Sequence, residues 1–355
     1  MPVSTPIATL PSPEARLHGA PLWLLHLLAF VVPVATLLYG LTGPHDWKTA
    51  FLFFSVIPLS VMVDNRAGPS LSQPDATLAE RPFTMMVVLL ALLQFANIGL
   101  LALHAADDLA AWPTAALTVL LYGVNSGYSA IVVAHELIHR STRGLFTLGR
   151  ALLCTVFYEH FSVEHVRGHH ARVGTPEDPA TARYGETFNR FFLRTVPAQF
   201  RSAWLLEHKR LGGGLLRNCV LHGVIVEVAL VAGLGLAFGW PATALFLAQA
   251  FTAVLLLEGV NYFEHWGLLR TGKKVAVVDS WDTDNWFTRF TLIGLSRHAD
   301  HHAHASRPFQ QLRHFAESPK LPRGYFGMVL VGIFQNRRYL AEMTERLAAR
   351  GITGR

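Results

Sequence analysis

Apolar residues along this chain fall into long blocks rather than short alternating runs. Six blocks approach or reach the roughly 20 residues that a helix needs to cross a hydrocarbon core of about 30 Å. They cover 22–41, 47–63, 83–103, 113–134, 219–238 and 241–262. The second block is short and contains Pro58, and polar turns at 43–46 and 239–241 predict helical hairpins. The pattern predicts an all-α integral membrane protein with about six transmembrane helices.

A soluble bundle with apolar core helices is the alternative explanation of these blocks. Of the 355 residues, 51% are hydrophobic and only 15% are charged, whereas about 25% are charged in typical soluble domains. Because the blocks are also almost free of charge, the membrane interpretation is favoured.

The positions of Lys and Arg predict the orientation of the helices. Residues 135–218 hold 12 Lys/Arg against 7 Asp/Glu, and residues 263–355 hold 14 against 8. The loop 104–112 holds no Lys or Arg. Because cytoplasmic loops are enriched in Lys and Arg, we expect both basic regions and both termini on the cytoplasmic side of the inner (cytoplasmic) membrane.

The predicted spans and their orientation divide the chain into five segments. Residues 1–20, rich in Pro and Ser, form a disordered N-terminal segment. Residues 21–134 hold transmembrane helices 1–4, and 219–262 hold helices 5 and 6. The two remaining segments, 135–218 and 263–355, form a cytoplasmic, helical, histidine-rich catalytic region.

Nine of the 18 histidines occur in short motifs within or beside these basic segments. On a helix, residues three or four apart lie on one face, so each motif can direct several imidazoles to one place. The motifs contain His135 and His139; His165, His169 and His170; His265; and His298, His301 and His302.

The number of histidines distinguishes a single zinc site from a site for two metal ions. The first motif, HELIH, matches the HExxH pattern of zinc proteases. A zinc ion takes four ligands, or three and a water, so nine imidazoles are too many for one ion and indicate two metals. Imidazole binds Fe, Cu and Zn alike, so the residue type leaves the metal open. Histidines without a metal remain the alternative for any single motif.

The sequence around the motifs resembles that of the membrane alkane 1-monooxygenases, which belong to the membrane fatty-acid desaturase and hydroxylase superfamily. The matching segments are HELIHR, EHVRGHH followed by TPEDPA, NYFEHWGL and RHADHHAHASRPFQQLR. The resemblance is collinear from about 134 to 327. This chain departs from the family pattern at Trp266, where Tyr is usual, and also at Asp282, Ser296 and Ala299.

The resemblance implies a non-haem di-iron centre. Its two Fe ions would be bound by His135, His139, His165, His169, His170, His265, His298, His301 and His302. The resemblance also implies O₂-dependent hydroxylation of a terminal methyl group, with electrons from a rubredoxin or ferredoxin and its NAD(P)H-dependent reductase.

Carboxylates next to the motifs are expected to orient the histidines. A carboxylate that accepts the second imidazole N–H fixes the tautomer of a metal-binding histidine. The candidates lie one or two residues from a histidine of a motif: Glu136, Glu164, Glu264 and Asp300. Phe53, Glu258 and Trp266 are expected to line the pocket of a hydrophobic substrate.

The expected partners follow from what the chain lacks. Two cysteines are too few for a cysteine-ligated iron–sulfur cluster, so electrons must come from another protein. The net charge of +6 favours an acidic donor and also suits contact with membrane lipid, while no feature indicates binding of nucleic acid. Three alternatives stay open: a xylene-type hydroxylase of aromatic methyl groups, a lipid desaturase and a membrane metal transporter.

Overall fold

The structure, a computed structural model, describes residues 23–74 and 78–351. The expected disordered segment 1–20 lies outside the described residues. The described residues are mainly helical and contain no β-strand. In chain order the helices are α1 (Trp23–Leu41), α2 (Trp47–Asp64), α3 (Glu80–Leu109), α4 (Trp112–Ile138), α5 (Arg143–Cys154), α6 (161–172), α7 (Phe188–Arg210), α8 (Cys219–Phe238), α9 (Trp240–His265), α10 (Trp286–Thr291), α11 (His298–Ala303), α12 (Tyr325–Phe334) and α13 (Asn336–Ala349).

Among the described residues, six helices are long and apolar enough to cross a membrane: α1, α2, α3, α4, α8 and α9. The prediction of an all-α protein with six spans is therefore confirmed. Three of the helices are longer than their apolar blocks, because backbone hydrogen bonding continues into polar sequence. Helix α3 extends to Leu109, α4 to Ile138 and α9 to His265. The segment boundaries expected at 134 and 262 thus fall within helices.

Helix α2 is interrupted in its middle. Its first half ends at Phe54 and its second half begins at Val56. Pro58 lacks an N–H and cannot bond the carbonyl of Phe54, four residues earlier, which breaks the helical ladder at this point. Asp46 caps the start of the helix and accepts a hydrogen bond from the Thr49 N–H at 2.8 Å.

Two of the histidine motifs adjoin or contain π-helical turns. Gly127–Val132 in α4 is π-helical and directly precedes the turn that carries His135. In α6, the segment Glu164–His169 is π-helical and contains His165 and His169 themselves. Such turns are rare and occur mostly as single insertions in α-helices, frequently at functional sites.

The centre of the bundle is held by polar side chains as well as apolar packing. Helix α9 packs against α3, α4 and α8. Gln94 of α3 donates to the Ser126 hydroxyl at 2.9 Å, and that hydroxyl donates to Gln249 of α9 at 2.6 Å. All three residues are fully buried. Hydrogen bonds between membrane helices stabilise their packing, so this network fixes α4, the helix that ends in the first histidine motif.

The two ends of the bundle carry different chemistry. The α1–α2 turn and the end of α3 meet through the imidazole Nδ1 of His45 and the carboxylate of Asp108, 2.9 Å apart. Helix α4 begins near this end, where Thr118 donates to Asp108 at 3.4 Å, and it ends in His135. The histidine motifs therefore gather at the end of the bundle opposite His45.

Candidate metal centre

The nine histidines of the motifs come together at one place. His135 and His139 lie at the end of α4, and His265 is the last residue of α9. Helices α6 and α11 bring the other six, from parts of the chain more than 120 residues apart. Most of the nine are buried and none is fully exposed.

The imidazoles form two sets of four. His135, His139, His165 and His301 make one set; His169, His265, His298 and His302 make the other. Within each set, one nitrogen from every ring lies within 4.8 Å of those of the other three. Four nitrogens at such separations can surround a single metal ion.

The ninth histidine lies between the two sets. The Nε2 of His170 is 3.0 Å from the Nε2 of His165 and 3.1 Å from that of His301. Its ring also stacks on His302 of the second set, with ring centroids 4.4 Å apart. His170 therefore adds a fifth nitrogen to the first set and brings the two sets into contact.

Several ring nitrogens in the centre have no hydrogen-bond partner within the described structure. These include the Nε2 atoms of His135, His139, His169 and His302. Leaving a buried polar atom without a partner costs about 1–3 kcal/mol. An array of unpartnered, converging imidazole nitrogens fits metal ions, which would bind their lone pairs.

Burial keeps several imidazoles of the centre neutral. It lowers the pKa of His139 to about 4, and the neighbouring His169 adds to this effect. Burial, and then the surrounding imidazoles, also hold the pKa values of His165, His298 and His301 well below the ordinary value. A neutral imidazole offers a lone pair, which is the form that binds metals.

One carboxylate that was not predicted orients a histidine of the centre. The fully buried Asp178 carboxylate lies 2.8 Å from the Nδ1 of His169 and accepts a hydrogen bond from the Thr181 hydroxyl at 2.6 Å. Although burial opposes it, the contact with His169 lowers the pKa of Asp178. This geometry directs the Nε2 of His169 into the centre.

The expected carboxylates have different contacts. Glu264 alone touches a histidine of the centre: its Oε2 lies 3.2 Å from His298 Nε2, and its Oε1 accepts from the Tyr325 hydroxyl at 2.5 Å. That Nε2 is also 3.1 Å from the Nε2 of His265. Glu264 therefore faces the centre itself, whereas the expectation was a contact at the outer nitrogen.

The other three carboxylates pair with arginines. Glu136 contacts Arg140 at 2.5 Å, Glu164 contacts Arg172 at 2.7 Å, and Asp300 contacts Arg307 at 2.5 Å and the outlying His304. An adjacent residue on a helix points about 100° away from its neighbour, so these side chains turn outward. They neutralise arginines around the centre.

An apolar cavity of about 360 Å³ opens onto the histidines. His135, His165 and His298 form its polar end, together with Asn261 and Glu264. Side chains of α2, α4, α9 and α12 form its walls. An elongated apolar ligand in this cavity would have one end at the histidines.

The three expected pocket residues do not line this cavity. Phe53 packs against Tyr39 in a separate apolar cluster, because it is the neighbouring Phe54 that faces the cavity. Trp266 is fully buried behind α9, and its indole N–H donates to the Glu186 carbonyl at 3.1 Å.

Glu258, the third of these residues, stabilises the helices behind the cavity. It is fully buried and accepts hydrogen bonds from Tyr158 and Gln199, both at 2.9 Å, and from Asn261 at 3.2 Å. Only Asn261 among these four residues reaches the cavity wall.

Comparison with known proteins identifies a family and several relatives of this chain. The profile of the fatty acid desaturase family matches residues 110–331. Alkane 1-monooxygenase 1 of Alcanivorax borkumensis is 34% identical over 88% of this chain and 81% of its own length. Alkane 1-monooxygenase 1 of Pseudomonas aeruginosa is 42% identical over 61% of this chain and 59% of its own length.

A more distant relative acts on another kind of substrate, as its name states. The hydroxylase component of a xylene/toluene monooxygenase of Pseudomonas putida is 29% identical over 59% of this chain and 58% of its own length. In several of these alignments, including that with the Pseudomonas aeruginosa protein, the matched part of the chain spans about three fifths of the relative.

Proposed function

Because the chain belongs to the fatty acid desaturase family and is homologous to the alkane 1-monooxygenases, we propose that it is a membrane-bound monooxygenase that hydroxylates the terminal methyl group of an alkane. One atom of O₂ enters a C–H bond to give the alcohol. Two electrons and two protons reduce the other atom to water.

The observation that carries this proposal is the contact between the apolar cavity and the histidine centre. On α4 the cavity wall runs from Leu120 to His135, which is about 22 Å at a rise of about 1.5 Å per residue. A long apolar space suits an extended hydrocarbon chain. Its polar end is where the reacting methyl group would lie.

Two irons are the metals we propose for the centre. His135, His139, His165, His170 and His301 would hold one, and His169, His265, His298 and His302 the other. Iron supplies the redox chemistry that activates O₂ and cleaves an unactivated C–H bond, which side chains alone lack. Imidazole is a suitable ligand for iron.

The residues of this chain position the reactants. Asp178 holds the orientation of His169 through the 2.8 Å contact. Glu264 and the Tyr325 hydroxyl, 2.5 Å apart, form a hydrogen-bonded pair at the polar end of the cavity. The apolar walls exclude water from the hydrocarbon and bind it by the hydrophobic effect.

The electrons come from a separate protein in this proposal, a rubredoxin or ferredoxin with its NAD(P)H-dependent reductase. The basic segments 135–218 and 263–355 would attract an acidic donor. By the positive-inside rule, the histidine centre lies on the cytoplasmic side of the inner membrane.

A hydroxylase of aromatic methyl groups is the second candidate, and the xylene/toluene monooxygenase relative favours it. Trp266, which departs from the family motif, is buried away from the cavity wall, so it does not shape the cavity for a ring. The elongated cavity favours a chain over a compact ring.

The test is the purified protein in nanodiscs with O₂, a rubredoxin or ferredoxin system and a panel of alkanes, xylenes and fatty acids. We expect about two irons per chain and a primary alcohol from an alkane. Selective oxidation of xylene would establish the second candidate, a new double bond in a fatty acid would establish a desaturase, and iron-independent activity would refute the proposal.

Two adjacent phenylalanines provide a matched test of the cavity. Phe54 lines it, and Phe53 packs elsewhere. We expect Phe54→Ala to alter the distribution of products over chain length, measured by gas chromatography, and Phe53→Ala to leave it unchanged. Equal effects of the two substitutions would mean that the substrate lies outside this cavity.

A further inference from the structure

Helix α7, which connects the second histidine motif to α8, has an exposed apolar stripe. Leu193, Pro197, Phe200 and Trp204 recur at helical spacing and lie on one face; the first three are exposed and Trp204 is half-buried. Leu193 is 74% exposed, and Phe200 is 39% exposed. Helices with an apolar face and basic flanks lie in the surface of a membrane with that face in the lipid.

The position of α7 in the chain supports this placement. Only residues 211–218 separate it from α8, one of the six candidate spans. Within that connection, Leu216 is 84% exposed. Because α8 begins at Cys219, the C-terminal end of α7 must lie near the membrane surface.

A basic pocket of about 430 Å³ adjoins the stripe. Arg194 and Arg201 each follow a stripe residue by one position and so lie about 100° around the helix from it. Five basic side chains line the pocket, against the two acids Glu177 and Asp178: Arg172, Arg183, Arg194, Arg201 and Lys209. Arg172 and Arg194 also form ion pairs with Glu164 and Glu186, so an anionic ligand would depend mainly on the other three. Ala198, Leu205 and Leu206 give it an apolar part as well.

We propose that this pocket binds the headgroup of an anionic phospholipid, with the acyl chains along the stripe of α7. Arg183, Arg201 and Lys209 would contact the phosphate, and Leu205 and Leu206 the glycerol end of the chains. The proposal needs the membrane placement of the proposed function but not its catalytic part.

The shape of the pocket favours a lipid over an acidic protein partner. A protein would meet a broad exposed surface, whereas this site is a concave pocket with apolar side chains among the basic ones. The adjoining apolar stripe would be exposed to water if the pocket faced the aqueous phase. A lipid headgroup and its chains cover the pocket and the stripe together.

The pocket is also connected to the histidine centre. Arg172 donates to Glu164 at 2.7 Å and to the Ser202 hydroxyl at 2.7 Å, which joins the second histidine motif to α7. Asp178, on the pocket wall, contacts His169. A bound headgroup would therefore stabilise the loop and helix that position this motif.

The test measures lipid retained by the full-length protein, independently of hydroxylation. The protein is reconstituted in nanodiscs of phosphatidylcholine with a minor fraction of phosphatidylglycerol, and the phosphatidylglycerol bound per chain after extraction is measured by native mass spectrometry. Arg201 and Lys209 are exposed, so R201Q/K209Q should fold normally. Each basic residue near a membrane surface contributes about 1 kcal/mol, so removing two should weaken retention about 30-fold.

K273Q/K274Q is the matched control, since it removes the same charge from an exposed loop outside the pocket. It should retain phosphatidylglycerol like the wild type, and added inorganic phosphate should not displace the lipid. Equal retention by all three proteins would overturn the proposal. So would displacement by inorganic phosphate, or a raised KM for the electron donor in R201Q/K209Q with unchanged lipid retention.

Discussion

Buried histidines at the two ends of this molecule have opposite chemistry. At one end, the Nδ1 of His45 is 2.9 Å from the Asp108 carboxylate, and its Nε2 is 2.5 Å from the carbonyl oxygen of Tyr39. Both neighbours accept hydrogen bonds, so the ring must donate from both nitrogens and carry a positive charge. At the other end, imidazole nitrogens face one another.

The neighbours, and not burial alone, decide the charge of a histidine. Burial opposes protonation of His45, but the hydrogen bond and charge of Asp108 outweigh it and raise its pKa above the ordinary 6.5. In the histidine centre no carboxylate compensates most of the rings, and burial lowers the pKa of His139 to about 4. The first environment favours an ion pair, and the second favours neutral imidazoles that can bind a metal.

The largest expected effect is that of His169→Ala on the metal centre. Removing this proposed iron ligand should lower the proposed hydroxylation by more than about 100-fold, the upper range for loss of a residue that merely supports a ligand. Iron per chain, measured by plasma mass spectrometry, should fall with it. His208→Ala, at an exposed position of α7, is the control and should keep its iron. Normal iron content in His169→Ala would contradict the ligand assignment.

Asp108→Asn should disrupt the ion pair with His45 at the other end of the molecule. Removing one partner of a buried ion pair costs about 3 kcal/mol, because the remaining charge loses its partner. We expect a lower midpoint of thermal unfolding, with unchanged iron content. The exposed neighbour Asp107 offers a matched control, and Asp107→Asn should unfold like the wild type. A loss of iron in Asp108→Asn would mean that the two ends are not independent.

Asp178→Asn should have a smaller effect on the centre than loss of a ligand. Asparagine keeps the shape but removes the charge that orients His169, so iron affinity should fall about 10- to 100-fold. Glu136→Gln is the control within the same region, because Glu136 pairs with Arg140. Similar losses of affinity in both variants would indicate a general electrostatic effect instead of orientation of one imidazole.

The smallest effect is the pH dependence that His45 confers on stability. Its folded pKa is raised, so its contribution is fully present below the unfolded pKa of about 6.5 and is lost as the pH rises through the folded value. Between the two values the free energy of unfolding should fall by about 1.4 kcal/mol per pH unit. Thermal unfolding of the wild type and of His45→Gln, measured across this pH range, tests the prediction. If the stabilities of the two proteins changed in parallel with pH, a charged His45 would be excluded.

The helices and the histidine motifs could be predicted from the sequence because both signals are local. A span needs only a long apolar block, and His135 and His139 share a helix face at any position of that helix. The contact between Asp178 and His169 is different, since it depends on the course of the loop between them. The Asp-Pro dipeptide at 178–179 was the available signal, because Asp178 also accepts the Ala180 N–H at 3.2 Å in a local turn.

Proximity in sequence was a poor guide to proximity in space for the other residues. Glu136 and Asp300 adjoin histidines but turn outward to arginines. Phe53 and Phe54 are indistinguishable in the sequence, yet only one faces the cavity. Which side of a membrane helix faces its neighbours depends on long-range packing, which the residue type alone does not reveal.

The π-helical turn at Gly127–Val132 determines where a residue can be deleted from α4 without turning its histidines. The turn contains one residue more than an α-helical turn would need. Deleting a single residue there would convert the turn to regular α-helix and leave the start and the end of α4 in nearly the same rotational register. His135 and His139 would therefore still face His165. A deletion within the α-helical part of α4, Trp112–Ser126, would instead rotate both histidines by about 100° away from His165. A single-residue deletion should therefore be better tolerated at the π-helical turn than in the α-helical part of the same helix.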